Sequence, residues 1–306
     1  MRKVERGYAR LTLVLPLALA AACQANPPRT GGDSGAASVQ TTSAPSLPPG
    51  AADARARLSA SPRHAEWVVV RTSQTDSVRA WVVFPERNDK APVVVVIHEI
   101  FGLSNWIRAV ADQLAADGFI AIAPDLLTMK GIPNTAEGEP DPDSARAAIR
   151  TLRPEDVHRD ILAVARYGMS LPAAQPRYGI VGFCWGGSIA FSHAAASPEL
   201  GAAVVYYGAS PPTEDLSRVR APVLGLYGEN DARVNATIPP ADSAMKALGK
   251  TYEHRIFPGA GHGFLRAQDG QGGANLAASR EAWPLTVDWF RRHLEREPRL
   301  TGHAAH

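Results

Sequence analysis

The tightest constraint in the chain is Gly182-Phe183-Cys184-Trp185-Gly186-Gly187, set between a short apolar run and an Ala-rich one. Arg177 to Val181 leads into it and reads as a buried strand, while Ser188 to Ala196 reads as a helix. A strand that turns directly into a helix has no room for side chains beside the apex, so glycine stands on either side. The apex residue itself is forced into a strained backbone conformation. Here that residue is a cysteine, placed at a helix N-terminus where the field favours the reactive thiolate. The pattern reads as a nucleophile elbow. A free cysteine is more often a buried, inert one, so its partners elsewhere in the chain must decide.

The flanking sequence alternates in type. Pro92-Val93-Val94-Val95-Val96-Ile97-His98 is a β-branched run suited to a strand buried on both faces. Asn105 to Asp117 carries Ile107, Val110, Ala111 and Leu114 on one helical face, with Gly118 to stop it. Phe119 to Ala123 is another strand, ending at Pro124-Asp125. Pro154 opens a helix bearing Val157, Ile161 and Val164. After the elbow come strands at Ala202 to Tyr207, Pro222 to Tyr227 and Tyr252 to Phe257, with a helix over Ala241 to Leu248 between the last two. A closing helix presents Trp283, Val287, Phe290 and Leu294. Ahead of all this, Ala65 to Val70 and Val78 to Phe84 read as an antiparallel pair whose Trp67 and Trp81 are expected in the core. The whole predicts an α/β fold: one mostly parallel, doubly wound sheet with helices on both faces. Leu126 to Arg153 is polar and rich in Gly and Pro, too long for a plain connection, and is expected to be a lid or substrate loop.

The N-terminus is organised differently. Arg2, Lys3, Arg6 and Arg10 precede an apolar run from Leu11 to Ala22, too short to span a bilayer, and small residues lead to Cys23. Residues 1–22 are expected to be a signal peptide resembling that of a bacterial lipoprotein, with Cys23 lipidated. An ordinary secretory signal or an uncleaved anchor are the alternatives. Residues 23–62 are expected to be a disordered tether rich in Pro, Ser and Ala, residues 63–297 the folded domain, and residues 298–306 a disordered tail. Of the two cysteines, a lipidated Cys23 would leave Cys184 unpaired in an oxidising compartment, a liability unless chemistry requires it. The expected location is the cell envelope, lipid-anchored at a membrane or secreted. A formal charge of +2 with no basic stripe gives no case for nucleic acid. The histidines are scattered and no cysteine cluster exists, so no metal or other cofactor is expected.

In open α/β sheets the reacting groups lie at the carboxyl ends of strands. Three such ends carry suitable chemistry in the order nucleophile, acid, histidine. These are Cys184, then Asp231 in Gly228-Glu229-Asn230-Asp231, then His262 in Gly259-Ala260-Gly261-His262-Gly263-Phe264. His262 would take the thiol proton and Asp231 would hold its tautomer. The competing assignments are a loop-capping Asp231 and a solvated His262. His98, His193 and His254 read as structural.

With the His98-Glu99-Ile100-Phe101-Gly102 stretch added, the chain resembles the dienelactone hydrolase family of the α/β-hydrolase superfamily over about Trp67 to Leu294. The resemblance implies hydrolysis of small esters or lactones through a cysteine acyl-enzyme. It also implies that Glu99 pairs with the resting cysteine, and that the N–H groups of Ile100 and Trp185 form an oxyanion hole. Arg266 would bind a substrate carboxylate; a cap for Glu99 and an Asp269 partner for Arg266 are the plainer roles. The family's second arginine is replaced by Met129, with Lys130 beside it. A thioesterase or peptidase on the same fold, or a non-catalytic envelope binding protein, are the rival functions.

Overall fold

Five β-branched residues in a row, Val93 to Ile97, need cover on both faces, and the fold supplies it. In the computed structural model, which describes residues 46–295, they form β3 (Ala91–Ile97), buried along its whole length. β3 lies inside an eight-stranded sheet ordered β1-β2-β4-β3-β5-β6-β7-β8. β1 (Ala65–Arg71) and β2 (Ser77–Val83) are antiparallel to each other, and β2 runs antiparallel to β4 (Ile120–Asp125). From β4 onward, through β3, β5 (Ala174–Phe183), β6 (Ala202–Tyr206), β7 (Val223–Asn230) and β8 (Tyr252–Gly261), every pairing is parallel.

Helices cover both faces, as the alternating pattern predicts. α1 (Ala54–Ser59), α2 (Asn105–Ala116) and α8 (Ala274–Leu294) pack one face, where Ile107, Val110, Trp283 and Phe290 are fully buried. α4 (Pro154–Ser170), α5 (Trp185–Ala196) and α7 (Ile238–Ala247) pack the other through Ile161, Val164, Phe191 and Met245. The chain leaves β3 for β4 on one side and returns to β5 on the other. The crevice between the ends of β3 and β5 is therefore the switch point of the sheet, where this architecture leaves an opening.

Several sequence expectations need correction. The predicted tether does not extend to residue 62: residues 46–60 lie on the domain, with Ala54 fully buried and Trp106 Nε1 donating to Pro49 O at 3.1 Å. The composition is tether-like, but the chain finds carbonyl partners and an apolar seat. The loop from Leu126 to Arg153 holds a 3₁₀ turn (Thr128–Lys130) and a helix, α3 (Pro142–Ile149), started by Asp141, whose carboxylate accepts from Ser144 N at 2.9 Å. Trp67 is 42% exposed rather than core, because β1 is an edge strand. Its ring meets Trp81 edge-on at 5.3 Å and lies 4.3 Å from the Arg79 guanidinium. The signal peptide, Cys23 and the tail lie outside the described residues. No helix among the described residues is long and apolar enough to cross a membrane.

Candidate active site

Cys184 sits between β5 and α5 with φ 55° and ψ −115°, a backbone geometry costly for any residue with a Cβ. The two flanking glycines are a steric requirement. A Cβ on Gly182 would lie 1.9 Å from Gly186 O, and one on Gly186 would lie 2.4 Å from His98 O. The elbow thus presses against the end of β3. This brings Glu99 and Ile100, which follow β3, next to the thiol.

Asp231 follows β7 at the N-cap position of α6 (Ala232–Asn235) without a capping side-chain hydrogen bond, and His262 follows β8. Parallel neighbours release their chains at the same edge of the sheet, so these two side chains meet. His262 Nδ1 lies 2.5 Å from Asp231 Oδ2. The carboxylate can only accept, so Nδ1 carries the proton and Nε2 remains free. Asp231 is 8% exposed while the His262 side chain is 34% exposed, leaving the imidazole open to the cleft.

The resting thiol is not a thiolate, contrary to the expectation from its helix N-terminus. Burial, then the nearby charge of Glu99, push its pKa up to about 11, and the Trp185 N–H and the Arg233 charge oppose them only in part. Glu99 is itself almost fully buried, and that burial raises its carboxyl to about 7 against the pull of Arg266. The carboxylate is paired with Arg266 and not with the sulfur, on which it acts through its charge. Arg266 Nε stands 2.8 Å from Glu99 Oε2, yet its N–H does not point along that line, so the contact is an ion pair rather than a directed hydrogen bond. Asp269 is not the partner of Arg266.

Neither the Ile100 amide nor the Trp185 amide donates in a backbone–backbone turn or loop bond among the described residues, and the Trp185 N–H interacts with the Cys184 sulfur. The Ile100 and Trp185 side chains pack against the cluster of Leu127, Ala145 and Ile149, the last two on α3. Met129 and Lys130 line a different groove, with Asp76, Arg153 and Arg159, and supply no second cation to the cleft.

Tyr207 and Arg146 escape a reading by motif, and His98 is read from sequence only as structural. Tyr207, just past β6, is fully buried at φ 41°, with its ring 5.1 Å from that of His262. Its buried O–H has no partner among the described residues, and it lies within electrostatic reach of Glu99, Arg266 and Cys184. A tyrosine at a strand end carries no signature, although its position after β6 on the reactive edge was a usable hint. His98 does more than fill space. Its Nδ1–H donates to Glu99 O at 2.7 Å and its ring stacks on Trp185, bracing the turn after β3. Arg146 of α3 lies 5.0 Å from the Phe101 ring, which Arg266 also approaches, at 5.2 Å. Nothing in the local sequence of Arg146 pointed to this.

The chain is similar to known proteins. The profile of the dienelactone hydrolase family matches residues 78–294. A Salmonella typhimurium protein assigned as a carboxymethylenebutenolidase is 34% identical over 233 residues, covering 72% of this chain and 85% of its own length. One from Saccharolobus solfataricus, assigned likewise, is 30% identical over 70% of this chain and 94% of its own. The crystal structure of a protein assigned as a dienelactone hydrolase in Klebsiella pneumoniae superposes with a TM-score of 0.66 at 31% identity, covering 75% of this chain and 99% of that one. A strained cysteine elbow at the switch point, a buried acid and histidine on the same edge, and this span of similarity agree. The chain belongs to the dienelactone hydrolase family, hydrolases of the α/β-hydrolase fold.

Proposed function

We propose that the chain hydrolyses small carboxylic esters or lactones through an acyl-enzyme on Cys184. The observation that carries this reading is the 2.5 Å Asp231–His262 pair on the same sheet edge as a cysteine held at positive φ. The thiol proton passes to His262 Nε2 as sulfur bonds to the substrate's carbonyl carbon. The carbonyl oxygen takes the negative charge and accepts from the N–H groups of Ile100 and Trp185. Collapse breaks the ester carbon–oxygen bond, and His262 returns the proton to the departing alkoxide. Water, giving a proton to His262, then attacks the thioester, frees the acid and restores the thiol.

Glu99 and Arg266 gate that first step. While Glu99 is charged beside it, the thiol stays neutral. A substrate carboxylate that pairs with Arg266 draws the guanidinium from Glu99, which then takes up a proton more readily. The sulfur loses its charged neighbour and ionises more easily. A short p-nitrophenyl ester and its carboxylate-bearing counterpart test the scheme. Wild type should turn over and show an acyl mass on Cys184, and Cys184→Ala should abolish turnover with an unchanged circular dichroism spectrum. Activity within a few-fold of wild type in that variant sinks the mechanism.

The charged, apolar and small-residue segments before Cys23 support an envelope location, with lipid on that cysteine. Two or more acyl chains would make membrane attachment stable. Intact mass after expression of the whole chain is the test. An unmodified mass, or Cys23→Ser still fractionating with membranes, counts against lipidation.

A further inference from the structure

The family match begins at residue 78, yet the structured chain begins well before it. Residues 46–53 cross from α2 to the turn that carries Arg266. Ser46 Oγ donates to Gln113 Oε1 at 3.1 Å, and Leu47 packs against the core. Pro48 O accepts from Gln268 Nε2 at 2.9 Å, and Pro49 O accepts from Trp106 Nε1 at 3.1 Å. Ala51 N donates to Arg266 O at 2.9 Å. Gly50 fits the crossing, since a Cβ there would already touch Arg266 O at 3.4 Å. α1 then anchors the segment from its far end, with Ala54 fully buried and Arg57 donating to Gln113 Oε1 at 2.8 Å.

The turn held in this way is short. Arg266 N and Ala267 N both donate to Gly263 O, at 3.0 and 2.9 Å, one residue after His262. Its peptide groups are fixed from inside by those bonds and from outside by Ala51, while the Gln268 side chain bridges Leu265 O to Pro48 O. The Arg266 side chain leaves from this turn to reach Glu99. Proline at 48 and 49 restricts the backbone before docking, which lowers the entropy lost on ordering.

We propose that residues 46–53 are a positioning element of the active site, with Ala51 and Gln268 holding the Arg266 turn so that its guanidinium stays paired with Glu99 beside Cys184. The inference rests on the roles given above to Cys184, Glu99 and Arg266. A stretch with the composition of a tether is thereby part of what sets the site.

The test uses the full chain. Ala51→Pro removes the donor N–H and also fixes φ there, Ala51→Gly keeps the N–H, and Gln268→Leu removes the contact to Pro48 from the opposite side without touching the segment's backbone. Hydrogen exchange over residues 263–270 reads the turn directly and should quicken in Ala51→Pro and Gln268→Leu. The pH profile of Cys184 alkylation by iodoacetamide reads the ion pair. The groups facing Glu99 are Arg266, Cys184 and Tyr207, and only Arg266 pulls its titration down. Loosening Arg266 should therefore move the inflection near neutrality to higher pH. For matched esters with and without a carboxylate, the kcat/KM ratio should fall by about three- to tenfold, the worth of one backbone hydrogen bond. Ala51→Gly should stay within about twofold of wild type, because the hydrogen bond survives. Unchanged exchange in a folded Ala51→Pro overturns the proposal, whatever the protein does to esters. Faster exchange with an unmoved alkylation profile also overturns it, as does an Ala51→Gly that behaves like Ala51→Pro. A wild-type profile with no inflection near neutrality counts against the Glu99 role instead, and the exchange result alone then decides the positioning element.

Discussion

Two histidine networks in this molecule invite comparison, one at the sheet edge and one between α4 and α5. In the first, His262 has a carboxylate on Nδ1 and an opening to the cleft. In the second, His193 bonds Tyr178 Oη through Nε2 at 3.1 Å and faces His158 Nδ1 at 3.2 Å. Ser197 Oγ completes it, 2.8 Å from the tyrosine oxygen. This second network is richer in ring contacts and better buried, yet it holds no carboxylate. Burial pushes His193 down to about 3 and lowers His158 as well, so neither takes up a proton near neutrality. A positive charge formed on His262 would meet Asp231 on one side and solvent on the other. What separates the histidine proposed to work from the structural one here is provision for the charge, not the number of polar neighbours.

The strongest way to break that comparison is to remove the carboxylate. Asp231→Asn keeps the shape but permits the wrong tautomer of His262, and should lower kcat by about 10³- to 10⁴-fold. Steady-state rates with the p-nitrophenyl ester check this, and a variant within tenfold of wild type would leave the two networks chemically equivalent.

Glu99 sharpens the contrast from the side of the acid. Its carboxyl is raised from 4.5 to about 7 in the folded protein, so the folded state holds this proton more tightly than the unfolded chain does. Its contribution to stability is therefore full below about pH 4.5 and is lost as the pH rises through 7. Between pH 5 and pH 8 the loss is on the order of 2–3 kcal/mol. Glu99→Gln cannot titrate, and its urea-unfolding free energy should lack that part of the slope. Parallel slopes in the two proteins would mean that Glu99 is already charged at pH 5.

The smallest effect is expected in the buried network. His193→Phe should leave kcat/KM within about twofold, while costing roughly 1–3 kcal/mol because His158 and Tyr178 lose a buried partner. Thermal unfolding and the ester assay measure the two halves of that statement. A large loss of activity with little loss of stability would show that the second network reaches the cleft.

Much of the site was legible locally. Cys184, Asp231 and His262 each follow an apolar strand in the order nucleophile, acid, histidine, and Gly182 reports a steric limit set within four residues, whereas Gly186 also answers to the distant end of β3. Glu99 was legible only through resemblance, and its partner was misassigned. Pairing with Arg266 depends on how the turn after β8 stands against the end of β3, two strands that are not neighbours. Trp67 failed for a related reason, since strand periodicity does not say which strand becomes the edge.

By itself the sequence determined the alternation of strands and helices, the strained cysteine turn and the acid and histidine proposed to serve it. Each of these follows from short-range sterics and from the burial of β-branched runs. Only the tertiary structure decided that the thiol rests neutral, that Glu99 is held by Arg266, that Tyr207 is buried against His262 and that residues 46–53 bond to the Arg266 turn. Those facts depend on burial and on charges brought together from distant parts of the chain. Desolvation and Coulomb energy follow distance in space, and sequence separation does not encode it.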